Sequence, residues 1–445
     1  FSSVLFLSCL LLPTSVYSQT HNQALKKWTI IIYIAADNDL RGFAARNIKQ
    51  MASIGSNANV NICVELHIRI AGNKKISRRY YIEPNQVIHV NGDDPLSQRL
   101  DSGDEKTLIG CCEWAIKNYP AQHYGLILWN HGTGICEPMT GRIINPNELF
   151  TFNPAINKFE LDRSVGFLDI VTNGQPEQRG ICWDDSSGNY ISNAKLVRAL
   201  STVCTNCLHG KKFSFIGFDA CLMAMLEVGN LIKSYAHIMI GSQEVEMGTG
   251  WNYQLAFQSL QNHTPDPHTL ARNIVDAYQR TYHKVNNDYT LSAVNLDTIQ
   301  PLEDNVHTVA QLLTECLKKQ KYNFIKSVIQ ASLHKDVCTH FDEPSYIDLH
   351  HFYTNLLHHI DRSPVDNDML TLKTQLRQAL IHGCALIKEI VFANTVGDNV
   401  RHAKGLSIYF ASTPESAPRI HYSYRTTPFA LTNEWINFMS HYLAT

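Results

Sequence analysis

The chain has no excess of either charge. Against 38 Lys and Arg stand 40 Asp and Glu in 445 residues, a formal charge of −2. That excludes a broad basic surface, and with it a nucleic-acid binder held by phosphate contacts. There is no internal repeat, no dinucleotide fingerprint and no phosphate loop. Low-complexity sequence is missing too: 44% hydrophobic and 18% charged residues is the balance of a chain that buries a core. Beyond residue 18 the longest apolar run is Trp28 to Ala36. A membrane helix needs roughly 18 to 20 such residues, so the mature chain is expected not to insert stably in a membrane. At about 150 residues per domain, the length permits two or three units, or one large α/β domain with an appendage.

The first eighteen residues read differently. Val4 to Leu12 is almost wholly apolar and uncharged, Pro13 breaks it, and Val16-Tyr17-Ser18 gives a small-x-small pattern before Gln19. This resembles a secretory signal without its basic start, and an exported protein, secreted or periplasmic, is the expectation. A buried N-terminal strand is the competing reading. Cysteine is plentiful, at 12. Loss of Cys9 with the signal leaves 12 − 1 = 11, and an odd count in an exported chain implies a free thiol or an intermolecular pair. The other ten could form disulfides of unknown connectivity. Cys204-Thr205-Asn206-Cys207 is a lone CxxC, weak evidence for zinc against a local disulfide or two plain thiols.

Trp28 to Ala36 is a continuous β-branched and aromatic run, the pattern of a strand buried on both faces. Val60–Ile68, Gly125–Trp129, Phe213–Phe218 and His237–Gly241 repeat that pattern. Between them, residues 40–54, 108–118, 192–203 and 222–233 have helical periodicity. The alternation predicts an α/β fold with a mainly parallel central sheet covered by helices on both faces. Residues 19–300 form the expected main domain. Residues 301–445 form a mostly helical subdomain, with helices over 301–319, 347–360 and 366–391 and a strand near 405–410 that could rejoin the sheet. The irregular stretch from Gly132 to Gly180 is long enough to be functional or disordered.

Ligands of open parallel sheets bind beyond the carboxyl ends of the strands. One such end reads Leu128-Trp129-Asn130-His131-Gly132, another Phe218-Asp219-Ala220-Cys221. Cys221 is placed at or just before a predicted helix N-terminus, where the dipole favours a thiolate nucleophile. His131 could deprotonate the thiol or protonate a leaving amine. The N–H groups of Gly132 and Cys221 could together hold an oxyanion. Taken singly, Cys221 reads as a small buried residue and His131 as a turn residue. Only the pair points to chemistry.

These segments resemble the clostripain-type cysteine peptidases, which group with caspases, legumains and gingipains. The resemblance rests on Trp28 to Asp39, Trp129-Asn130-His131-Gly132 and Gly217-Phe218-Asp219-Ala220-Cys221-Leu222-Met223-Ala224. Further blocks are Ser242-Gln243-Glu244, Gly248-Thr249-Gly250-Trp251, Tyr346-Ile347-Asp348-Leu349 and Gly405 to Phe410. It implies a caspase-like sheet and peptide hydrolysis through an acyl-enzyme, with Cys221 as nucleophile and His131 as its partner. It also implies preference for Arg, sometimes Lys, before the scissile bond, with Asp219 as the pocket carboxylate; a helix N-cap is the equal alternative for Asp219. The family pattern leads one to expect a second acidic residue where this chain has Thr249, and Glu244 or Glu246 could compensate. Relatives are often cut between the His and the Cys. Arg179 is the candidate site here, with Arg142, Lys158 and Arg163 as competitors and an ordinary surface insertion as the other reading.

No cofactor is required by this chemistry, although some relatives use calcium, for which Asp184-Asp185 is a weak candidate. The histidine pairs at 350–351 and 358–359 lack a ligand set. The expected partners are peptides or proteins. Two other outcomes stay open: a catalytically silent binding protein on the same scaffold, with disulfides holding its exposed loops, and a transpeptidase using the same dyad.

Overall fold

A computed structural model describes residues 25–70, 74–90, 100–136, 149–163, 180–319, 323–362, 367–411 and 422–444. The expected signal segment and Arg179 lie outside the described residues. Nine strands form the main sheet: β1 (Lys26–Ala36), β2 (Val60–Ile70), β3 (Lys74–Glu83), β4 (Gln86–His89), β5 (Ala121–Trp129), β6 (Phe215–Asp219), β7 (Ile238–Gly241), β8 (Thr290–Asn295) and β9 (Val391–Val396). Their order is β9-β8-β7-β6-β5-β1-β2-β3-β4. The central five, β2, β1, β5, β6 and β7, run parallel. Antiparallel strands close both flanks.

The lack of polar alternation in β1 has a direct cause. Ile31, Tyr33 and Ala35 enter one core, with helices α2 (Glu105–Asn118) and α3 (Asn193–Asn206). Trp28, Ile30, Ile32 and Ile34 enter the other, with α1 (Arg41–Ile54) and the helix Pro267–Tyr282. Both faces of the sheet are thus covered, as the sequence predicts. Full burial of each isoleucine contributes about 1.5–3 kcal/mol. The starts of α2 and α3 are set by Asp104 and Ser192, whose side chains accept N–H bonds from Lys106 and Lys195.

Three expectations need correction. The strand Ser407–Tyr409 does not rejoin the main sheet; it pairs with Tyr346–Asp348 in a separate two-stranded ribbon. The sheet is extended instead by β9, whose start at Val391 was assigned to the end of a helix and which pairs antiparallel with β8. With β8 and β9 in place, that edge is already filled. Next, the segment after Cys221 is not helical at once: α4 covers only Leu226–Ile232. Leu222 takes a left-handed φ of 64°, which turns the chain before the helix starts. Last, all eleven described cysteines are free thiols, nine of them buried as small apolar residues.

The ribbon clamps the turn that follows Cys221. Ser407 N–H donates to the Ala224 carbonyl (2.9 Å), and Tyr409 N–H donates to Glu227 Oε1 (2.9 Å). Burial pushes the Glu227 carboxyl up to about 7. The folded chain therefore holds a proton there that the unfolded chain, with an ordinary glutamate, has released. This contribution to stability is complete below about pH 4 and is lost as pH rises through 7. Glu227→Gln keeps an acceptor for Tyr409 and cannot ionise. Its stability relative to wild type is expected to climb between pH 5 and 8, by on the order of 3 kcal/mol at about 1.4 kcal/mol per pKa unit. Denaturant titrations across that range would test this, and parallel profiles for the two proteins would refute it.

Candidate active site

Parallel pairing of β5 with β6 sets Trp129 opposite Asp219. His131 and Cys221 each stand two residues further on, past the carboxyl ends of strands that neighbour one another at about 4.8 Å. On the other side of β5, β1 pairs Ile34 with Trp129 and then leads into Asp39. The chain passes from β1 to β2 on one side and from β5 to β6 on the other. The crevice beyond β1 and β5 is therefore the topological switch point of the sheet.

Asn130 holds these ends together. Its backbone N–H donates to the Asp219 carbonyl (3.2 Å), and its side chain donates to the Ala35 carbonyl and accepts from Trp183 N–H (2.9 Å). Gly132 lies against the Cys221 backbone, and a Cβ there would collide with the Cys221 carbonyl and the Met223 side chain. His131 is 2% exposed, and its Nε2 is 2.7 Å from Asp39 Oδ1. Partial burial works against an ionised Asp39, but the hydrogen bond and charge of His131 outweigh it and hold the carboxyl below its ordinary range. Asp39 thus fixes the orientation of the imidazole.

Cys221 is 3% exposed, and its sulfur accepts the Glu246 N–H (3.3 Å). The helix-dipole argument fails here, because α4 begins five positions later at Leu226. Burial pushes the thiol well above its ordinary value. The Glu246 N–H opposes this, and the carboxylates of Glu246, Asp342 and Glu244 add to it. In this arrangement the sulfur is protonated and covered.

Asp219 is not a helix cap. Its carboxylate accepts from Trp251 N–H (3.0 Å) and from the Tyr253 hydroxyl (2.7 Å). Gly250 sits against it at a φ of 59°, and a Cβ there would lie 2.6 Å from Asp219 Oδ1. Thr249 is half-buried, with its hydroxyl 2.8 Å from that of Tyr282. Glu246 faces Asp219 and the Trp251 indole. Burial and the Asp219 charge raise its carboxyl well above the ordinary range. Glu244 is engaged elsewhere, by Arg163 (2.8 Å) and by the N–H of Asp342 (2.9 Å).

The other candidates separate. Arg163 is bound by Glu244 and Asp288, and Lys158 by Asn287 (2.8 Å) and Asp398 (3.2 Å). Arg179 and Arg142 lie outside the described residues. Asp184 accepts from Lys75 and from Ser102 N–H and hydroxyl, and Asp185 from the Trp183 indole (2.5 Å) and Arg69 (3.3 Å). Both carboxylates are thus matched to cations and donors in this structure. Among the described residues no group of three or more His, Cys, Asp or Glu could hold a metal ion. Asp39 was missed from the sequence, where Asp37-Asn38-Asp39 reads as a strand terminator. Its place at the carboxyl end of β1 was the available signal.

A His and a Cys over adjacent parallel strands, with an Asp on the imidazole, define an α/β protein built like a cysteine peptidase. The chain belongs to the clostripain family, which it matches over residues 32–142 and 169–442. It is 23% identical over 374 residues to clostripain of Hathewaya histolytica, covering 74% of this chain and 64% of that protein. The chain thus spans less than two thirds of that relative's length. The fold is similar to a secreted C11 cysteine protease from Bacteroides thetaiotaomicron in complex with an irreversible peptide inhibitor. The TM-score is 0.57 at 18% identity, over 93% of this chain and 99% of that one. It is equally similar to an inactive zymogen C11 protease from Parabacteroides distasonis: TM-score 0.57, 18% identity, 91% and 97% coverage.

The contacts of Gly250 set up a comparison with Gly42, an exposed helical position with nothing within 4 Å of an added Cβ. Gly250→Ala is expected to destabilise the chain by about 2 kcal/mol or more. Gly42→Ala should stabilise it by about 0.5–1 kcal/mol. Equal effects in denaturant titrations would contradict the tight contact at Asp219.

Proposed function

We propose that this chain is a cysteine endopeptidase that cuts after Arg, and less well after Lys. The observation that carries the reading is the register of β5 on β6, by which His131 and Cys221 follow paired residues at equal offsets along one rim of the sheet. The Cys221 sulfur attacks the scissile carbonyl carbon as His131 takes its proton. The N–H groups of Gly132 and Cys221 stabilise the oxyanion. Collapse breaks the C–N bond, His131 protonates the leaving amine, and a thioester remains. Water, deprotonated by His131, then releases the acid and restores the thiol. Asp39 keeps the imidazole oriented, and Asp219 meets the substrate cation. No step draws on a cofactor.

The protonated, covered thiol suggests a latent form opened by cutting between His131 and Cys221, with Arg179 as the site. The segment before it is pinned by Arg163 to Glu244 and to Asp288. Export follows from residues 4–18 and is in keeping with the secreted relative. No helix among the described residues is long and apolar enough to cross a membrane.

Turnover of an arginyl peptide amide is expected to vanish in Cys221→Ala and His131→Ala. In Asp39→Asn, kcat should fall about 100-fold with KM little changed, since only the imidazole is misplaced. Turnover that resists both alkylation and Cys221→Ala would defeat the thiol mechanism. On a denaturing gel, wild type should run as two fragments and Cys221→Ala as one band. A wild type of full mass would overturn the self-cleavage.

A further inference from the structure

We propose that Glu246 supplies the second carboxylate of the pocket for the basic side chain, the one absent at Thr249. The inference rests on the reading of Asp219 as the first. Glu246 is 4% exposed, and among the described residues no cation pairs with its carboxylate, which lies against Asp219 and the Trp251 indole. Buried polar groups are nearly always paired, because an unpaired one forfeits its hydration for nothing. What surrounds Glu246 offers no positive charge to balance a carboxylate. Asp219 is a second acid, and the hydroxyls of Tyr253 and Tyr282 are already committed, to Asp219 (2.7 Å) and to the Gly250 carbonyl (2.6 Å).

Two acids in one buried site cannot both ionise unless a cation joins them. Without one, the pair is most stable holding a proton, and the directions of both carboxyls agree with this. A guanidinium suits the two acids by chemistry. It is planar, always charged, and has five N–H donors, enough to bond two carboxylates at once. An ammonium is a point charge and bridges them less well. The position also suits the reaction. The backbone N–H of Glu246 is on the Cys221 sulfur, so its side chain projects from a residue in contact with the attacking atom. Glu244, the other candidate, is held by Arg163 and contributes nothing here.

The pocket is tested apart from catalysis by titrating argininamide into the full chain carrying Cys221→Ala, with and without Glu246→Gln. Binding should weaken about tenfold to hundredfold in the Gln variant, the worth of a charged hydrogen bond, at unchanged Tm. Glu246→Asp, which keeps the charge, should lie between. Turnover is measured separately, on peptide amides with Arg, Lys or norleucine before the bond. Glu246→Gln should lower kcat/KM for Arg most, for Lys less, and for norleucine less than about threefold. Equal argininamide affinity in all three pockets overturns the inference. So does a parallel loss on all three substrates, which marks a merely structural carboxyl. A wild type that binds argininamide through Glu246 but cleaves none of the peptides would refute the proposed function and leave this inference standing.

Discussion

The pairing of Trp129 with Asp219 is the constraint on which the site depends. Parallel strands in register deliver residues at equal offsets to the same rim, so His131 and Cys221 each stand two positions past the paired Trp129 and Asp219. Asn130 secures that register by bonding to strands on both sides, through the Ala35 and Asp219 carbonyls. The buried apolar faces of β1 and β5 make the platform stiff. Stiffness matters because a nucleophile and a base misplaced by an ångström lose most of their advantage.

The electrostatics of the rim form two groups with opposite tendencies. At His131, Asp39 is partly exposed and held ionised by the imidazole. Around Cys221, the carboxyls of Asp219, Glu244 and Glu246 are buried and raised above their ordinary range. The first group holds the His131 ring against Asp39. The second adds to the burial that raises the Cys221 thiol above its ordinary value. In the proposed function, one set of acids serves both restraint and recognition. The 149–163 segment, inserted between the His and the Cys in the chain, reaches this second group through Arg163.

Much of this was legible. The strands β1, β2, β5, β6 and β7 announce themselves as apolar runs because both faces are buried, and the placement of His131 and Cys221 just past neighbouring strand ends follows from where those runs end. The short antiparallel elements were not legible. β8 went unread and the start of β9 was absorbed into a helix, since strands of six residues beside helices carry little periodic signal. The helix expected directly after Cys221 fails because apolar residues from Leu222 to Met225 fit a helix by composition, while packing against residues 242–246 holds them in a turn.

The sequence by itself determined the sheet class and nominated His131 and Cys221 at its strand ends, because burial and reactivity are properties of residue type and local order. Only the tertiary structure decided which acid faces which group. Glu244 and Glu246 stand two positions apart and are indistinguishable by pattern. Beyond β7 the backbone is irregular, so side-chain direction there is set by partners distant in sequence: Arg163 takes Glu244, and Asp219 is left to face Glu246.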